Sequence, residues 1–99
     1  GVVGAAKSTV EGLTRSLAFE LASKGVLVNG VMPGVSDTKS MRAIEGAKDV
    51  LDYAKKQSAT HSLVTPEHVA NVVTFLCSNQ ANMICGQCLV VDGGTFIRG

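Results

Sequence analysis

From Val2 to about Ser23 apolar residues return every three or four positions, with Val10, Leu13, Leu17 and Leu21 in one stripe. That spacing predicts an amphipathic helix whose stripe faces a core. The other face carries Ala5, Ala6, Ser8, Thr9, Gly12 and Ser16 where a solvated face would be rich in Lys and Glu. Small side chains there predict close packing of another helix, such as one from a second subunit. Lys24-Gly25 supplies the stop, a cation at the carboxyl end followed by a residue free to turn left-handed.

The run Val26 to Met32 (VLVNGVM) is short, apolar and partly β-branched, which predicts a strand covered on both faces. Pro33-Gly34 breaks it. Polar residues follow from Ser36 to Lys39, then a weakly amphipathic stretch from Met41 to about Ala59, interrupted by Gly46. Its sparse apolar positions, Ile44, Val50, Leu51, Tyr53 and Ala54, predict a mobile helical flap rather than core. Thr65-Pro66-Glu67-His68 has a helix start, with Thr as N-cap and Pro in the first turn. The helix is expected to run to about Cys77 and to bury Val69, Val72, Val73 and Leu76. Gln87 to Val91 reads as a second apolar strand, closed by the turn residues Asp92-Gly93-Gly94.

The order helix, strand, flap, helix, strand predicts an α/β parallel sheet with helical crossovers. Two strands do not make a stable parallel sheet, so further strands are expected upstream of Gly1. Residues 1–99 then form part of a single domain.

Composition narrows the function. The chain has 99 residues, 45% of them hydrophobic and 17% charged, against about 25% charged in an ordinary domain. Nine Lys+Arg against eight Asp+Glu leave a net charge of +1, which removes the electrostatic case for nucleic acid or an anionic membrane surface. No apolar run reaches the roughly 18–20 residues of a membrane span. So apolar a chain does not stay disordered, and low charge in so short a chain predicts packing against further protein. Three cysteines, Cys77, Cys85 and Cys88, make no disulfide framework and fit a reducing, cytoplasmic setting.

Two places could carry chemistry. Lys7 lies near the start of the first helix, where a cation opposes the macrodipole. A sugar hydroxyl or a phenolate as partner would account for it; a stem snorkelling to solvent is the other reading. The turn from Asn29 to Thr38 follows a strand's carboxyl end, where α/β sheets bind ligands. Its exposed backbone and the Thr38 hydroxyl could meet an amide-bearing ligand, although an ordinary strand-to-loop turn has the same composition. Cys85-Gly86-Gln87-Cys88 precedes a strand instead of opening a helix and lacks a second ligand pair. It reads as two small buried residues, with no metal site. His61 and His68 read as surface residues. No glycine-rich phosphate cradle is present.

Taken in order, AAKSTVEGLTRSLAFELASKGVLVN, the N-x-V-x-P-G string with Thr38 nine residues after Asn29, TPEHVANVVTFLCS and GQCLVVDGG resemble the short-chain dehydrogenase/reductase family. The resemblance covers essentially the whole chain. It implies the carboxyl-terminal portion of a Rossmann-like doubly wound parallel sheet: active-site helix, strand, substrate flap, helix and final strand. It further implies an NAD(P)(H)-dependent oxidoreductase acting on a small-molecule substrate, in a homodimer or homotetramer built through the first helix. On this likeness Lys7 is catalytic: it would bind the nicotinamide ribose hydroxyls and lower the pKa of a catalytic tyrosine. Pro33, Gly34, Val35 and Thr38 would frame the nicotinamide, and Ser36 to about Ala59 would close over substrate. Asn29 and Asp92-Gly93-Gly94 would be structural.

One departure divides the readings. The family's usual tyrosine stands four residues before the lysine, and that position is Val3. Some enoyl-thioester reductases of the family place six residues between tyrosine and lysine, which puts the tyrosine immediately before Gly1. VGAAK and NMICGQCLVVDGG also look like those enzymes. Alternatively the chain resembles a 3-oxoacyl-thioester or other carbonyl reductase that has lost its tyrosine, or it is an inactive assembly module.

Overall fold

A computed structural model describes the backbone of residues 2–95 and residue 97, and the side chains among these from Val10 onward. The chain divides into two compact units, Gly1–Val31 with Val73–Leu89, and Met32–Val72 with Val90–Gly99.

In the first unit, α1 runs from Val2 to Ala22. Its end is a Schellman arrangement: Gly25, at φ 82°, donates to Ala22 O, and Val26 N reaches back to Leu21 O at 3.2 Å. The side of α1 that packs is not the expected stripe. Leu13 is 59% exposed, and Val10 and Leu17 are exposed with it, whereas Thr14 and Ala18 are buried, Ala18 to 3%. The cause is close backbone approach. A Cβ on Gly86 would stand 3.3 Å from Ala18 Cβ, and one on Gly30 would stand 3.0 Å from Cys88 Sγ and 3.6 Å from Thr14 Oγ1. Only small residues fit so near another backbone, and the large aliphatic side chains flank the contact. Thr14 satisfies its hydroxyl locally by donating to Val10 O at 2.8 Å.

Two strands, β1 (Gly30–Pro33) and β2 (Cys88–Val91), pair in one sheet. Gly30 N donates to Gln87 O at 2.8 Å and Gly34 N to Val91 O at 2.9 Å. Both chains advance together along these bonds, so the pair is parallel. β1 starts at Gly30, four residues later than the apolar run suggests. Before it, the ladder gives way to an Asn29 clasp. Asn29 Nδ2 donates to Ile84 O at 2.9 Å while Oδ1 accepts from Gln87 N at 3.0 Å. Val26 and Leu27 are exposed, so that run is not covered on both faces among the described residues. Cys85 and Cys88 are free thiols and half-buried, less enclosed than their apolar setting predicts.

In the second unit, the stretch expected as one flap is two helices, α2 (Lys39–Arg42) and α3 (Ala47–Gln57). Gly46, at φ 80°, makes the break. The left-handed region is open to Gly at no steric cost, so the chain turns there. The last helix, α4 (Pro66–Leu76), passes from this unit into the first. Val69, Val72 and Leu76 are half-buried, but Val73 is exposed. A 3-10 turn, Asn79–Ala81, buries Ala81.

Candidate functional site

The turn at the carboxyl end of β1 is built on a close approach. Gly34 has no room for a side chain: a Cβ would lie 2.9 Å from both Cα and Cβ of Asp92. Its amide is committed to Val91 O, and Val35 O accepts from Val64 N at 3.2 Å. With the backbone held from both β2 and the segment before α4, Pro33, Val35 and Thr38 are left exposed, Val35 to 40%. Thr38 caps α2 by accepting from Met41 N at 3.2 Å. A capping hydroxyl uses a lone pair for that bond, which leaves its own proton to donate. The segment thus exposes apolar surface at Pro33 and Val35 and a hydroxyl donor at Thr38.

Next to it, Asp37 and Arg42 form a two-point ion pair, Nε to Oδ1 at 2.6 Å and Nη2 to Oδ2 at 3.2 Å. The hydrogen bond from Arg42, aided by the guanidinium charge, holds the Asp37 carboxyl below its ordinary range, and Asp37 raises Arg42 in return. A carboxyl depressed by folding contributes stability that is complete above its unfolded pKa and is lost as pH falls through the folded one. Both groups are exposed, so salt weakens the pair. NMR titration should therefore show the Asp37 midpoint moving up in Arg42→Ala, and moving up with added salt in the wild-type chain. The pair borders a cavity of about 420 Å³ that Lys48, Leu51, Lys55 and Leu63 also line.

The flap is fixed at its carboxyl end. Ser58 is 2% exposed; its hydroxyl donates to Ser62 O and accepts from Ser62 N, both at 3.1 Å. Thr60 N donates to Gly93 O at 3.0 Å. A Cβ on Gly93 would stand 2.5 Å from Thr60 Oγ1, and one on Gly94 2.7 Å from Ala59 Cβ. Both glycines also have positive φ. Asp92 is buried and accepts from Gly94 N through Oδ1 at 2.8 Å. The Asp-Gly-Gly turn after β2 thus lies against residues 58–62.

Of the residues singled out from sequence, Pro33, Gly34 and Val35 follow one another at the end of β1, and Thr38 caps α2 three residues further on. Lys7 belongs to α1 by its backbone, and its side chain lies outside the described residues, as does that of Val3. His61 is exposed. His68 is exposed too, but not idle: its Nδ1 accepts from Thr65 N at 3.0 Å while Thr65 Oγ1 accepts from His68 N at 3.2 Å. This is a capping box with imidazole in place of the usual carboxylate, and the T-P-E-H string held the signal for it. The roles of Val64 and of the Asp37–Arg42 pair had no such local signature. Among the described residues no group of three or more His, Cys, Asp or Glu could hold a metal, and no helix is long and apolar enough to cross a membrane.

Residues 1–95 match the family model described as enoyl-(acyl carrier protein) reductase. The chain is 37% identical over 98 residues to dehydrogenase/reductase SDR family member 4 of Sus scrofa, covering 99% of this chain and 35% of that protein. It is 41% identical over 90 residues to 3-oxoacyl-(acyl-carrier-protein) reductase of Aquifex aeolicus, covering 91% of this chain and 36% of the relative. Among solved structures, a 4-hydroxyisoleucine dehydrogenase mutant complexed with NADH and succinate superposes with a TM-score of 0.82 at 28% identity. That match covers 94% of this chain and 38% of the other. The chain therefore spans little more than a third of the length of these relatives. With its parallel strand pair and Gly-locked turn, it belongs to the short-chain dehydrogenase/reductase family and corresponds to a carboxyl-terminal portion of that α/β fold.

Proposed function

We propose that this chain is the carboxyl-terminal portion of a cytoplasmic NAD(P)(H)-dependent oxidoreductase that moves hydride between nicotinamide and an enoyl thioester. The carrying observation is the turn after β1, where a backbone pinned at Gly34 and Val35 leaves Pro33, Val35 and Thr38 exposed. These residues fit a nicotinamide edge: Val35 and Pro33 offer apolar surface, and the Thr38 hydroxyl can donate to a carboxamide oxygen. The cofactor would supply or accept the hydride. Lys7 would hold its ribose hydroxyls and, by its charge, favour the ionised form of a neighbouring phenol. The stretch 36–59 would cover the substrate, and the small-residue face of α1 would join subunits in a homodimer or homotetramer.

A carbonyl reductase relative that has lost its tyrosine is the second reading, supported by the 41% identity to the 3-oxoacyl thioester enzyme, whereas Val3 at the usual tyrosine position favours the enoyl-thioester reading. A substrate panel separates the two in the protein that carries this chain. NAD(P)H oxidation with crotonyl thioester and none with acetoacetyl thioester is expected; the reverse supports the carbonyl enzyme. Absence of both activities, with no quenching or enhancement of NADH or NADPH fluorescence on titration, would leave an inactive assembly module.

A further inference from the structure

We infer that Val64 is a positioning residue for the nicotinamide turn, an assignment that rests on the cofactor reading above. Val64 is 5% exposed and lies against Gly34: a Cβ built on that glycine would stand 3.3 Å from Val64 Cγ2. Its amide also holds the next carbonyl of the turn, donating to Val35 O at 3.2 Å. One residue therefore sets the turn twice, by side-chain volume at Gly34 and by hydrogen bond at Val35. The opposing constraint comes from the Gly34 N–H to Val91 O bond.

Val64 is itself held in place. The next residue, Thr65, is locked to His68 by the reciprocal pair of bonds that starts α4. The backbone entering the helix has little freedom as long as that box stands. A β-branched side chain adds stiffness, since its χ1 is restricted. The strut therefore runs from the α4 cap through Val64 to Gly34 and Val35, all within the second unit. The exposed Val35 side chain and the Thr38 hydroxyl inherit their placement from it.

Truncation to Ala removes two methyl groups beneath the turn, and buried sites relax only in part around such a gap. In the enzyme that carries this chain, Val64→Ala should raise KM for NAD(P)H about tenfold, equivalent to about 1.4 kcal/mol. Turnover at saturating cofactor should change by less than about twofold, the signature of lost binding rather than lost chemistry. Val64→Ile keeps the branched shape and should restore KM to within about threefold. Ala81→Gly, in the 3-10 turn of the other unit, should lower Tm and leave that KM unchanged.

Amide hydrogen exchange tests the same strut with no cofactor present: the Gly34 amide should exchange faster in Val64→Ala than in wild type. Should Val64→Ala fold too poorly for kinetics, His68→Ala provides the second lever. It should speed Gly34 exchange and raise the cofactor KM, and His68→Gln, which retains an acceptor, should reverse both. Unchanged Gly34 exchange in the variants, or a fall in turnover with KM unmoved, would overturn the positioning role. A wild-type protein that binds neither NADH nor NADPH would overturn the cofactor reading instead, and the exchange data would still decide whether Val64 sets the turn.

Discussion

Lys7→Ala should lower turnover of the enzyme carrying this chain by about 10²–10⁴-fold, the range removed when proton transfer in the transition state loses its support. The expectation follows from position and charge. Lys7 lies on α1, and on the family likeness it would hold the nicotinamide ribose hydroxyls. An ammonium beside a phenol favours the phenolate and so tunes the group that exchanges the proton. Lys7→Arg keeps the charge but not the compact point donor, and should recover only part of the rate. Rapid measurement of NAD(P)H oxidation at saturating substrate reads the loss. Full activity in Lys7→Ala would contradict the assigned role.

The second large effect should come from Gly34→Ala. The added methyl would meet Asp92 Cα and Cβ at 2.9 Å; Cα is backbone, so no rotamer change relieves the overlap. Overpacking of this kind costs about 1–3 kcal/mol, read as a lower Tm. Cofactor affinity should fall as well, because the strain acts on the peptide bonded to Val91 and on the adjoining Val35. A Tm and a nicotinamide affinity both equal to wild type would show that the approach of Gly34 to Asp92 does not constrain the turn. Gly25→Ala is a useful contrast, since a Cβ there meets nothing within 4 Å. Its cost comes from the positive φ alone.

Helices and strands were legible where local chemistry sets them. Thr65-Pro66 marked the start of α4, Lys24-Gly25 the end of α1, and Asp92-Gly93-Gly94 the turn after β2, because caps and turns depend on neighbours in sequence. The Pro33–Thr38 turn was legible for the same reason. The apolar stripe of α1 misled on burial: hydrophobic period reports an amphipathic helix, but contact distance selects which side packs. Thr14 and Ala18 sit where Gly30 and Gly86 bring the backbone close, and neither glycine is near them in sequence. Gly46 was legible as an interruption, yet that it separates two helices depends on its left-handed φ.

Periodicity, caps and turn residues alone thus establish an α/β chain in the order helix, strand, flap, helix, strand, with a Pro-Gly turn after the first strand. Family motifs add an oxidoreductase expectation and its candidate residues. The three-dimensional arrangement supplies the rest: Gly34 wedged on Asp92, Val35 held by Val64, and Thr60 against Gly93. His68 as the cap of α4 stands between the two, signalled by a four-residue string but decided by bond geometry. The physical reason is range. Hydrogen bonds within a turn and of helix caps join residues a few positions apart, so residue identity suffices. Close backbone approach between distant segments is settled by how the whole chain packs.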